Sequence, residues 1–597
     1  MVTTIEIKTN DKGQLVPWCL DTGRPLLNQH DPEEEARRIL SYIAVDEAQL
    51  IVIVGLGFGY LLKEVQKSAH PHAKILVIDA DEEMIKLAKE TNCLTSFETD
   101  NRITFVIGDK QLRSDVVNKF ISENYMFVHR SLILDSFYYS NDERTKYTKH
   151  LLEEYSGWRN SLQFLIGNDP DDTLKGLRQL VENIPAVVNG VALSQWKGRL
   201  SNIPAICVAS GPSLDKNIEL LKQVGDKALI VAADSIVERL YEEGIKPHII
   251  TIIERNEVLY TRFFKDKVFH DGAILVGYCS IFPEVFRTFS GKVIPIGRNG
   301  ILHERVISEI LPGFDVGQLG QSCAHLSFST AHTLGCDPII LVGQDLSYGK
   351  GKITHANGVN DEEEQKEVEE VLDKVASLEL EVKGYYGGKV LTSVYWKQFK
   401  ELFEKWMLAK DRLYINATEG GAYIEGAEHV SLSQTFEKYL GDSDISSVIS
   451  EINRKDSSDN IPFIGNLIQQ FTLWLQENEK CEAHLEAMRQ LALDIADSMN
   501  DPATHSFSDI TKRFTEHISQ FADHSIIVSQ VTQYPILKYI EKINNLYIIT
   551  DEDQANWVNY LRELSNDLTR YTGMIREYLE KGIYQLREIE KVTIEQG

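Results

Sequence analysis

Short apolar runs alternate with stretches of helical periodicity along much of the chain, most regularly between residues 196 and 442. The runs are five or six residues long and are bounded by turn residues. Such runs are typical of strands buried on both faces, and their alternation with helices predicts a parallel, doubly wound sheet. The predicted strands are 205–209, 228–233, 248–253, 273–277, 292–296 and 339–343.

An earlier α/β pattern occupies residues 1–125. The apolar run Leu50–Val54 is followed by glycines at 55, 57 and 59, a helical stretch and a second strand that ends at Asp79. This order resembles the cofactor half of S-adenosylmethionine-dependent methyltransferases, where an acid at that strand end binds a ribose. The resemblance covers only about 60 to 70 residues and no methyl-transfer motif follows it, which favours the alternative of a structural Rossmann-like domain.

The remaining regions are predicted to be helical. Long amphipathic stretches with few glycines or prolines begin near Ser443. The predicted fold class is therefore α/β, with two Rossmann-like parallel-sheet domains followed by an all-α C-terminal domain. The predicted domains are an N-terminal Rossmann-like domain at 1–125, a helical connector at 126–195, a central α/β domain at 196–442 and a helical domain at 443–597.

The composition narrows the classes of partner and compartment. Acidic residues outnumber basic ones by 89 to 62, and the net charge of −27 opposes binding to nucleic acid. The 7 cysteines are scattered without a Cys-x-x-Cys pair, which indicates a reducing, cytoplasmic environment. No uninterrupted apolar run reaches the ~18 residues of a membrane span, so no membrane association is expected.

The most informative turn follows the predicted strand 205–209, where the chain reads Ser210, Gly211, Pro212 and Ser213. A strand that leads directly into a helix leaves unpaired backbone N–H groups at the turn, and the helix dipole adds positive charge there. Gly211 would let a ligand approach the backbone, Pro212 removes no useful donor, and Ser213 is suited to cap the helix or hold a phosphate oxygen. A plain strand-turn-helix corner is the alternative.

Polar residues also follow other predicted strands of the central domain. Because parallel strands end at the same edge of a sheet, their side chains are expected to converge on one crevice. Such convergence is harder to explain by loop solubility than any single motif, and it is the main sequence evidence for a site. These residues are Asp234, Ser235, Asn256, Gly343, Asp345 and Tyr348.

Three separated strings carry a resemblance to a known family. They are Ala209–Asp215, Gly343–Tyr348 and Ile415–Gly421, the last of which continues to Gly426. In this order they resemble the motility accessory factor (Maf) family of bacterial flagellin glycosyltransferases, whose central domain is similar to that of bacterial sialyltransferases. The match covers about residues 180 to 430, and the three-part layout of the chain is also that of the family.

The resemblance implies transfer of a nonulosonic acid, pseudaminic or legionaminic acid, from its CMP-activated form to Ser or Thr of flagellin. The CMP-activated sugar would be the donor substrate and flagellin the protein acceptor, with no separate cofactor required, while homo-oligomerisation is left open. The resemblance further implies that Ser322, at the start of a long helix, lies near the sugar carboxylate. The residues that it places against the nucleotide are Gly211, Pro212, Ser213, Asp234 and Asn256.

Three residues are candidates for the chemistry. By the resemblance, Tyr348 holds the position of a phenol that donates a hydrogen bond to the departing phosphate, and an aromatic that caps the core is the alternative. Thr354 stands where the sialyltransferases have a second tyrosine, and their histidine base has no counterpart at the expected position. His355 is therefore the leading candidate for the base, with Glu419 as its rival. Asp345 is expected to orient Tyr348, and no metal site is predicted.

Two other functions are kept as alternatives. A pterin diphosphokinase would share Gly-Pro-Ser and Gly-Gln-Asp motifs of this type, although a small-molecule kinase has little use for a long helical C-terminal domain. A non-catalytic chaperone or scaffold for flagellin would bind nucleotide only structurally. Nucleotide preference separates the three, because stabilisation by CMP or CTP, by ATP with a pterin, or by none of these favours a different one of them.

Overall fold

The computed structural model describes most of the chain as two compact units. The predicted α/β fold class, with parallel sheets and a helical C-terminal region, is confirmed. Most of the predicted helical connector, through residue 168, lies outside the described residues. The described residues are 5–107, 131–135, 149, 152, 155, 169–317, 320–357, 359, 380–455, 458–498, 507–543 and 551–596, except for 21–22, 42, 44, 49, 70–72, 80–81, 98 and 410.

One unit comprises Met1–Pro170 and Thr532–Trp557. Its parallel sheet consists, in spatial order, of β6 (Ile103–Ile107), β5 (Lys74–Asp79), β4 (Leu50–Val54) and β7 (Ser131–Asp135). Strand β4 is buried along its whole length, as its five consecutive apolar residues predict. The other described elements up to residue 107 are β1 (Ile5–Thr9), β2 (Leu15–Cys19) and β3 (Arg24–Pro25), which form an antiparallel sheet, and helices α1 (Pro32–Leu40), α2 (Tyr60–Ser68) and α3 (Glu82–Glu90).

In the glycine-rich turn after β4, a backbone N–H group is hydrogen-bonded to a side chain of the protein. Gly55, Gly57 and Gly59 have φ angles of 85°, 53° and 77°, which other residues rarely adopt. The carboxylate of Asp79, at the end of β5, accepts a hydrogen bond of 2.8 Å from the Leu56 N–H. The acid that a ribose would require is thus bonded to a backbone donor of the turn. This contact fits a structural turn, and ligand binding at the turn stays a prediction.

The second unit comprises Asp171–Val531 and Val558–Gly597 and contains a nine-stranded sheet whose neighbouring strands are all parallel. The strands predicted here from the sequence are confirmed to within two residues at each end. In spatial order the nine strands of the sheet are β13 (Asp315–Gly317), β12 (Lys292–Arg298), β11 (Ile274–Tyr278), β10 (Ile249–Ile252), β9 (Leu229–Ala233), β8 (Ala205–Val208), β14 (Ile339–Val342), β17 (Tyr414–Asn416) and β18 (Glu428–His429), of which β13, β17 and β18 were not predicted.

The direction in which strands are added to this sheet reverses between β8 and β14. From β8 the chain proceeds outward through β9 to β13, and it returns with β14 on the other side of β8. A crevice forms beyond the carboxyl ends of two such strands, because their connections depart in opposite directions. The segments after both strands meet there, where the Gly211 N–H donates to the Gly343 carbonyl oxygen at 2.8 Å. The topology therefore places a ligand-sized opening beside the turn predicted to bind.

A hairpin and short helices complete the α/β part of this unit. The hairpin pairs β15 (Leu380–Lys383) with β16 (Lys389–Thr392). The helices are α4 (Pro170–Glu182), α5 (Ile184–Val188), α6 (Leu214–Leu221), α7 (Val237–Glu242), α8 (Glu257–Phe263), α9 (Pro283–Thr288), α10 (Leu302–Ile310), α11 (Cys323–Leu334), α12 (Val394–Met407), α13 (Leu432–Tyr439) and α14 (Ser446–Arg454).

Long helices follow from residue 464 onward. They are α15 (Ile464–Ser498), α16 (Phe507–Asp523), α17 (Ile526–Ile543) and α18 (Asp551–Gln596). Their large apolar residues are mainly buried, as in Phe471 and Trp474, whose ring centroids lie 5.1 Å apart. This burial is expected of amphipathic helices that pack their apolar faces together. Among the described helices, none is long and apolar enough to cross a membrane.

Candidate functional site

A cleft of about 700 Å³ opens beyond the carboxyl ends of β8, β9, β10 and β14. It lies at the point where strand order reverses, which is the expected position of a ligand in an open α/β sheet. Eight of the thirteen predicted site residues line it: Ser210, Gly211, Asp234, Ser235, Ser322, Gly343, Asp345 and His355.

Asp345 connects the three sequence strings at the floor of the cleft. Its Oδ2 accepts hydrogen bonds from the Ser213 hydroxyl at 2.7 Å and from the Ser213 N–H at 3.2 Å. Its carbonyl oxygen accepts a hydrogen bond of 2.7 Å from the Ala422 N–H. Burial raises the pKa of the Asp345 carboxyl group. Among the described residues the hydrogen bonds of this carboxylate go to Ser213, and its orientation of Tyr348 stays a prediction.

Gly211 is required by the packing of the turn itself. A Cβ atom at this position would lie 2.2 Å from Oδ2 of Asp345 and 2.4 Å from the carbonyl oxygen of Gly343. Real Cβ atoms do not approach other heavy atoms so closely. Glycine therefore lets the turn close against the end of β14, which is a reason independent of any ligand.

A buried acid and two hydroxyls line another part of the cleft. The Ser235 hydroxyl donates to the Ser210 oxygen at 3.1 Å, and Oδ1 of Asp234 accepts from the Ser235 N–H at 2.9 Å. Burial raises the pKa of the Asp234 carboxyl group to about 6, against the opposing effect of a hydrogen bond from the Cys323 thiol. Asp234 therefore takes up a proton at a higher pH than an ordinary aspartate does.

The N-terminus of α11 forms one end of the cleft. Ser322 is its N-cap residue, and the Ser322 oxygen accepts from the His325 N–H at 3.4 Å. The His325 Nε2 donates to the Phe399 carbonyl oxygen at 3.0 Å, so its Nδ1 is the acceptor for the Ser322 hydroxyl at 2.7 Å. Burial lowers the pKa of His325 to about 4, which keeps this ring neutral. The Ser322 proton is thus occupied, and the backbone N–H groups of the first turn are the donors best suited to an anion.

Three predicted nucleotide contacts lie outside the wall of the cleft. The Ser213 hydroxyl is bound to Asp345 and does not cap α6. Pro212 packs against Gly349, where a Cβ would come within 3.2 Å of its ring. Asn256 is exposed and caps α8, because its side chain accepts from the Val258 N–H at 3.2 Å. These contacts account for the residue types structurally, and their roles toward a nucleotide stay predictions.

Tyr348 and Glu419 are also absent from the residues that line the cleft. The Tyr348 ring packs edge-to-face against Trp396 with centroids 4.8 Å apart, and Trp396 is itself a wall residue. Glu419 adopts a φ of 55°, and its carboxylate accepts a hydrogen bond of 2.9 Å from the Leu432 N–H at the start of α13. Its carbonyl oxygen accepts from Lys216 at 2.8 Å. Tyr348 is therefore one residue away from the cleft, whereas the Glu419 carboxylate is used to hold α13.

His355 and Arg262 supply basic groups to the wall of the cleft. The half-buried His355 ring has its Nδ1 2.9 Å from the Thr354 hydroxyl, and Arg262 donates to the Val359 carbonyl oxygen. Asp234 and Asp345 stand on the acidic side. Within the residues described, no group of three His, Cys, Asp or Glu side chains is arranged to hold a metal ion.

Sequence reasoning missed the aromatic part of the wall. Trp396 and Phe399 reach the cleft from α12, and Phe263 reaches it from α8. A signal for α12 was present, because Ser393 caps this helix and accepts from the Trp396 N–H at 3.1 Å. The packing of α12 beside α11 joins segments more than sixty residues apart, which no local pattern encodes.

Comparisons with known proteins extend this description. Residues 178–351 match the protein-family model described as 6-hydroxymethylpterin diphosphokinase MptE-like. No curated protein sequence matches the chain significantly. The structure is similar to that of the Maf glycosyltransferase from Magnetospirillum magneticum AMB-1, with a TM-score of 0.63 and 15% sequence identity over 99% of this chain and 95% of that one. The chain therefore has the fold of a Maf glycosyltransferase along nearly its whole length, which confirms, at the level of the fold, the family resemblance predicted from its sequence.

Proposed function

We propose that this protein is a glycosyltransferase that moves a nonulosonic acid, pseudaminic or legionaminic acid, from its CMP-activated form to Ser or Thr of flagellin. The main supporting observation is the cleft of about 700 Å³ at the switch point of a sheet that has the Maf fold. Eight predicted site residues lie in its wall, and its volume is adequate for a nucleotide-activated sugar.

The donor would be held by hydroxyls and helix ends rather than by a field of basic residues. The Ser210 and Ser235 hydroxyls, 3.1 Å apart, are suited to the ribose or the phosphate. The sugar carboxylate would meet the N–H groups of Cys323 and Ala324 at the start of α11, where the helix dipole favours an anion. Trp396 and Phe399 supply apolar surface on which a ring can rest. This arrangement reconciles an anionic donor with a chain of net charge −27.

The transfer step would need a base and a group that stabilises the departing phosphate. The acceptor oxygen forms a bond to the anomeric carbon, the bond from that carbon to the phosphate oxygen breaks, and CMP departs with the electron pair. His355 is the preferred base because it lies in the cleft wall, whereas the Glu419 carboxylate holds the start of α13. Tyr348, behind Trp396, would donate to the phosphate after a small movement of that ring.

Intact-mass analysis of flagellin co-expressed with this protein and a CMP-nonulosonic acid pathway tests the proposal. The expected result is a mass increment of one nonulosonic acid residue, or of several. The fraction of flagellin that carries this increment should decrease at least tenfold with Tyr348→Phe or His355→Gln, because each substitution removes a group used in the transition state. The exposed tyrosine Tyr584, in the C-terminal helix, provides the matched control Tyr584→Phe, which should leave the modified fraction of flagellin unchanged. Unmodified flagellin in the presence of the wild-type protein and a working donor pathway would refute the proposal.

A pterin diphosphokinase is the second candidate, because the family model that matches residues 178–351 carries that description. Thermal denaturation with CMP, CTP, or ATP plus 6-hydroxymethylpterin separates the two. A transferase is expected to be stabilised by CMP and CTP, and a kinase by ATP with the pterin. Formation of a pterin diphosphate from ATP would establish the second candidate instead.

A further inference from the structure

A second cleft, of about 590 Å³, lies in the same unit further along α11 and α12. The first cleft uses the beginnings of these helices, through Cys323 and Trp396. The second uses their later turns and the segments before β8 and β17, and its wall shares no residue with that of the first. Its volume is in the range of small-molecule sites, and neither the sequence motifs nor the proposed function accounts for it.

Most carboxylates and hydroxyls in the wall of this second cleft already have partners. Asp315 accepts from the Ser194 N–H and hydroxyl, both at 2.7 Å. Asp411 is bonded to the Tyr414 hydroxyl at 2.5 Å and to the His332 Nε2 at 2.7 Å. The acceptor capacity of the acids is therefore largely used by the protein itself.

The groups without partners in this wall are mainly donors. Nε of Arg412 and the Thr330 hydroxyl are buried and form no hydrogen bond with any described atom. Nη1 of Arg412 donates to the Asp411 carbonyl oxygen at 2.8 Å and Nε is enclosed by protein, so Nη2 is the nitrogen of this guanidinium that is left for a ligand. Neither Arg412 nor the exposed Lys197 forms an ion pair with a described residue.

An aromatic cluster forms the apolar part of the same wall. Phe328 stacks on Trp406 with ring centroids 5.7 Å apart and approaches Tyr414 at 5.4 Å. Trp406 is only half-buried, so part of its ring is available to a ligand. Such a surface favours a flat or apolar ring over a sugar or an inorganic ion alone.

We propose that the second cleft is a binding site for a small aromatic anion, whose carboxylate or phosphate is held by Arg412 and Lys197 and whose ring packs on Trp406. Nη2 of Arg412 can donate to an oxygen of such a group, and Lys197 adds a second positive charge at the rim. This site is independent of the proposed transferase reaction, since its wall and that of the first cleft have no residue in common.

Ligand-observed NMR titrations of the full-length protein with three phenyl probes and acetate test this proposal. Benzoate and phenyl phosphate carry both the ring and the charge, benzamide lacks the charge, and acetate lacks the ring. At least one of the two aromatic anions should bind at least tenfold more tightly than benzamide and acetate, and the tighter of the two identifies the anionic group. Equal affinity for benzoate, phenyl phosphate, benzamide and acetate, or no binding of either aromatic anion at 20 mM, would overturn it.

Substitutions then locate the probe. Arg412→Gln should weaken binding of the tighter aromatic anion at least tenfold, and Lys197→Gln, at an exposed position, about threefold. Arg305→Gln, on the surface of α10, is the matched control and should have no effect. If Arg412→Gln fails to fold, a crystal structure with 4-bromobenzoate replaces it, and the anomalous bromine signal should lie beside Trp406. Binding unaffected by both the Arg412 and Lys197 substitutions, or bromine found only elsewhere, would refute the assignment.

Discussion

Gly211 belongs to the turn predicted to bind a ligand, and the packing of the protein also requires glycine at this position. Its missing side chain is what allows the 210–213 turn to approach Asp345 and Gly343. We expect Gly211→Ala to reduce the free energy of unfolding by about 1–3 kcal/mol and to weaken nucleotide binding, because the turn must move away from β14. Chemical denaturation and a nucleotide titration measure both effects. Gly441→Ala is the control, since its Cβ would meet nothing within 4 Å, and equal losses in the two variants would contradict the explanation.

Asp234 predicts a pH dependence of stability with a definite sign. Burial raises its folded pKa from 3.8 to about 6, so the folded state binds more protons than the unfolded state between these values. Stability from this group is therefore present at pH 4 and is lost as the pH rises towards 6. The loss amounts to at most about 3 kcal/mol, as a shift of about two pH units implies.

Asp234→Asn removes this titration and provides the test. The midpoint of thermal denaturation of the variant minus that of the wild type should become more positive between pH 4 and pH 6.5 and change little above pH 7. The Asn oxygen can still accept from the Ser235 N–H, so the comparison isolates the charge. Asp442→Asn, at an exposed position, should show no such trend, and a flat difference for Asp234→Asn would exclude a raised pKa.

At the residue scale, the sequence predicted which side chains gather at the cleft better than what each one bonds to. Strand ends meet at one edge of a parallel sheet, so Ser210, Asp234 and Asp345 could be placed together from topology alone. The bond between Asp345 and Ser213 joins residues 132 positions apart, and no periodicity encodes it. The same holds for His325, which no sequence motif marks and which is fully buried against Phe403.

Helices α11 and α12 are held together at His325, close to the end of α11 that is proposed to meet the sugar carboxylate. Its ring stacks on Phe403 at 4.1 Å, donates to the Phe399 carbonyl oxygen and accepts from the Ser322 hydroxyl. We expect His325→Phe to keep the stacking but remove the partner of the half-buried Ser322 hydroxyl and of the Phe399 carbonyl oxygen, at a cost of about 1 kcal/mol for each lost hydrogen bond. Affinity for CMP should decrease as well, because the first turn of α11 is no longer fixed.

His325→Gln is the informative comparison for this prediction. Its amide retains one donor and one acceptor, so it should lose less stability and less CMP affinity than His325→Phe. Thermal denaturation with and without CMP measures both quantities. If the two variants are equally impaired, the stacking or the volume of the ring is what matters, and the hydrogen bonds would not explain the effect.

At the element scale, the long buried strands were predictable and the short edge strands were not. Strand β8 is fully buried and wholly apolar, and its apolar run marks it clearly. Strands β17 and β18 have three and two residues, too few for a periodic signal, and their pairing depends on β14 being in place first. Helix α12 has an N-cap and amphipathic spacing, but its position beside α11 is determined by His325 and Phe403 across the core.

At the scale of the whole molecule, the first part of the region after residue 443 packs with the central α/β fold. Ile445, Ile449 and Ile452 are buried in the same apolar core as the nine-stranded sheet. The side chain of Asn460 is fully buried, accepts from the Gly313 N–H at 2.6 Å and donates to the Val187 carbonyl oxygen at 3.2 Å. The segment 442–463 therefore stabilises the sheet, whereas the long helices begin only at Ile464.

Two truncated chains, ending at Gly441 and at Phe463, test this division. Both lack the long helices, so the difference between them isolates the segment 442–463. Burial of a single isoleucine contributes about 1.5–3 kcal/mol, and we expect the shorter chain to melt more than about 10 °C below the longer one. The longer chain should retain the stabilisation by CMP that we expect of the full chain, because every residue of the first cleft precedes residue 442. Equal melting temperatures would show that the buried isoleucines are dispensable, and the helical region would then begin at 443, as the sequence alone predicts.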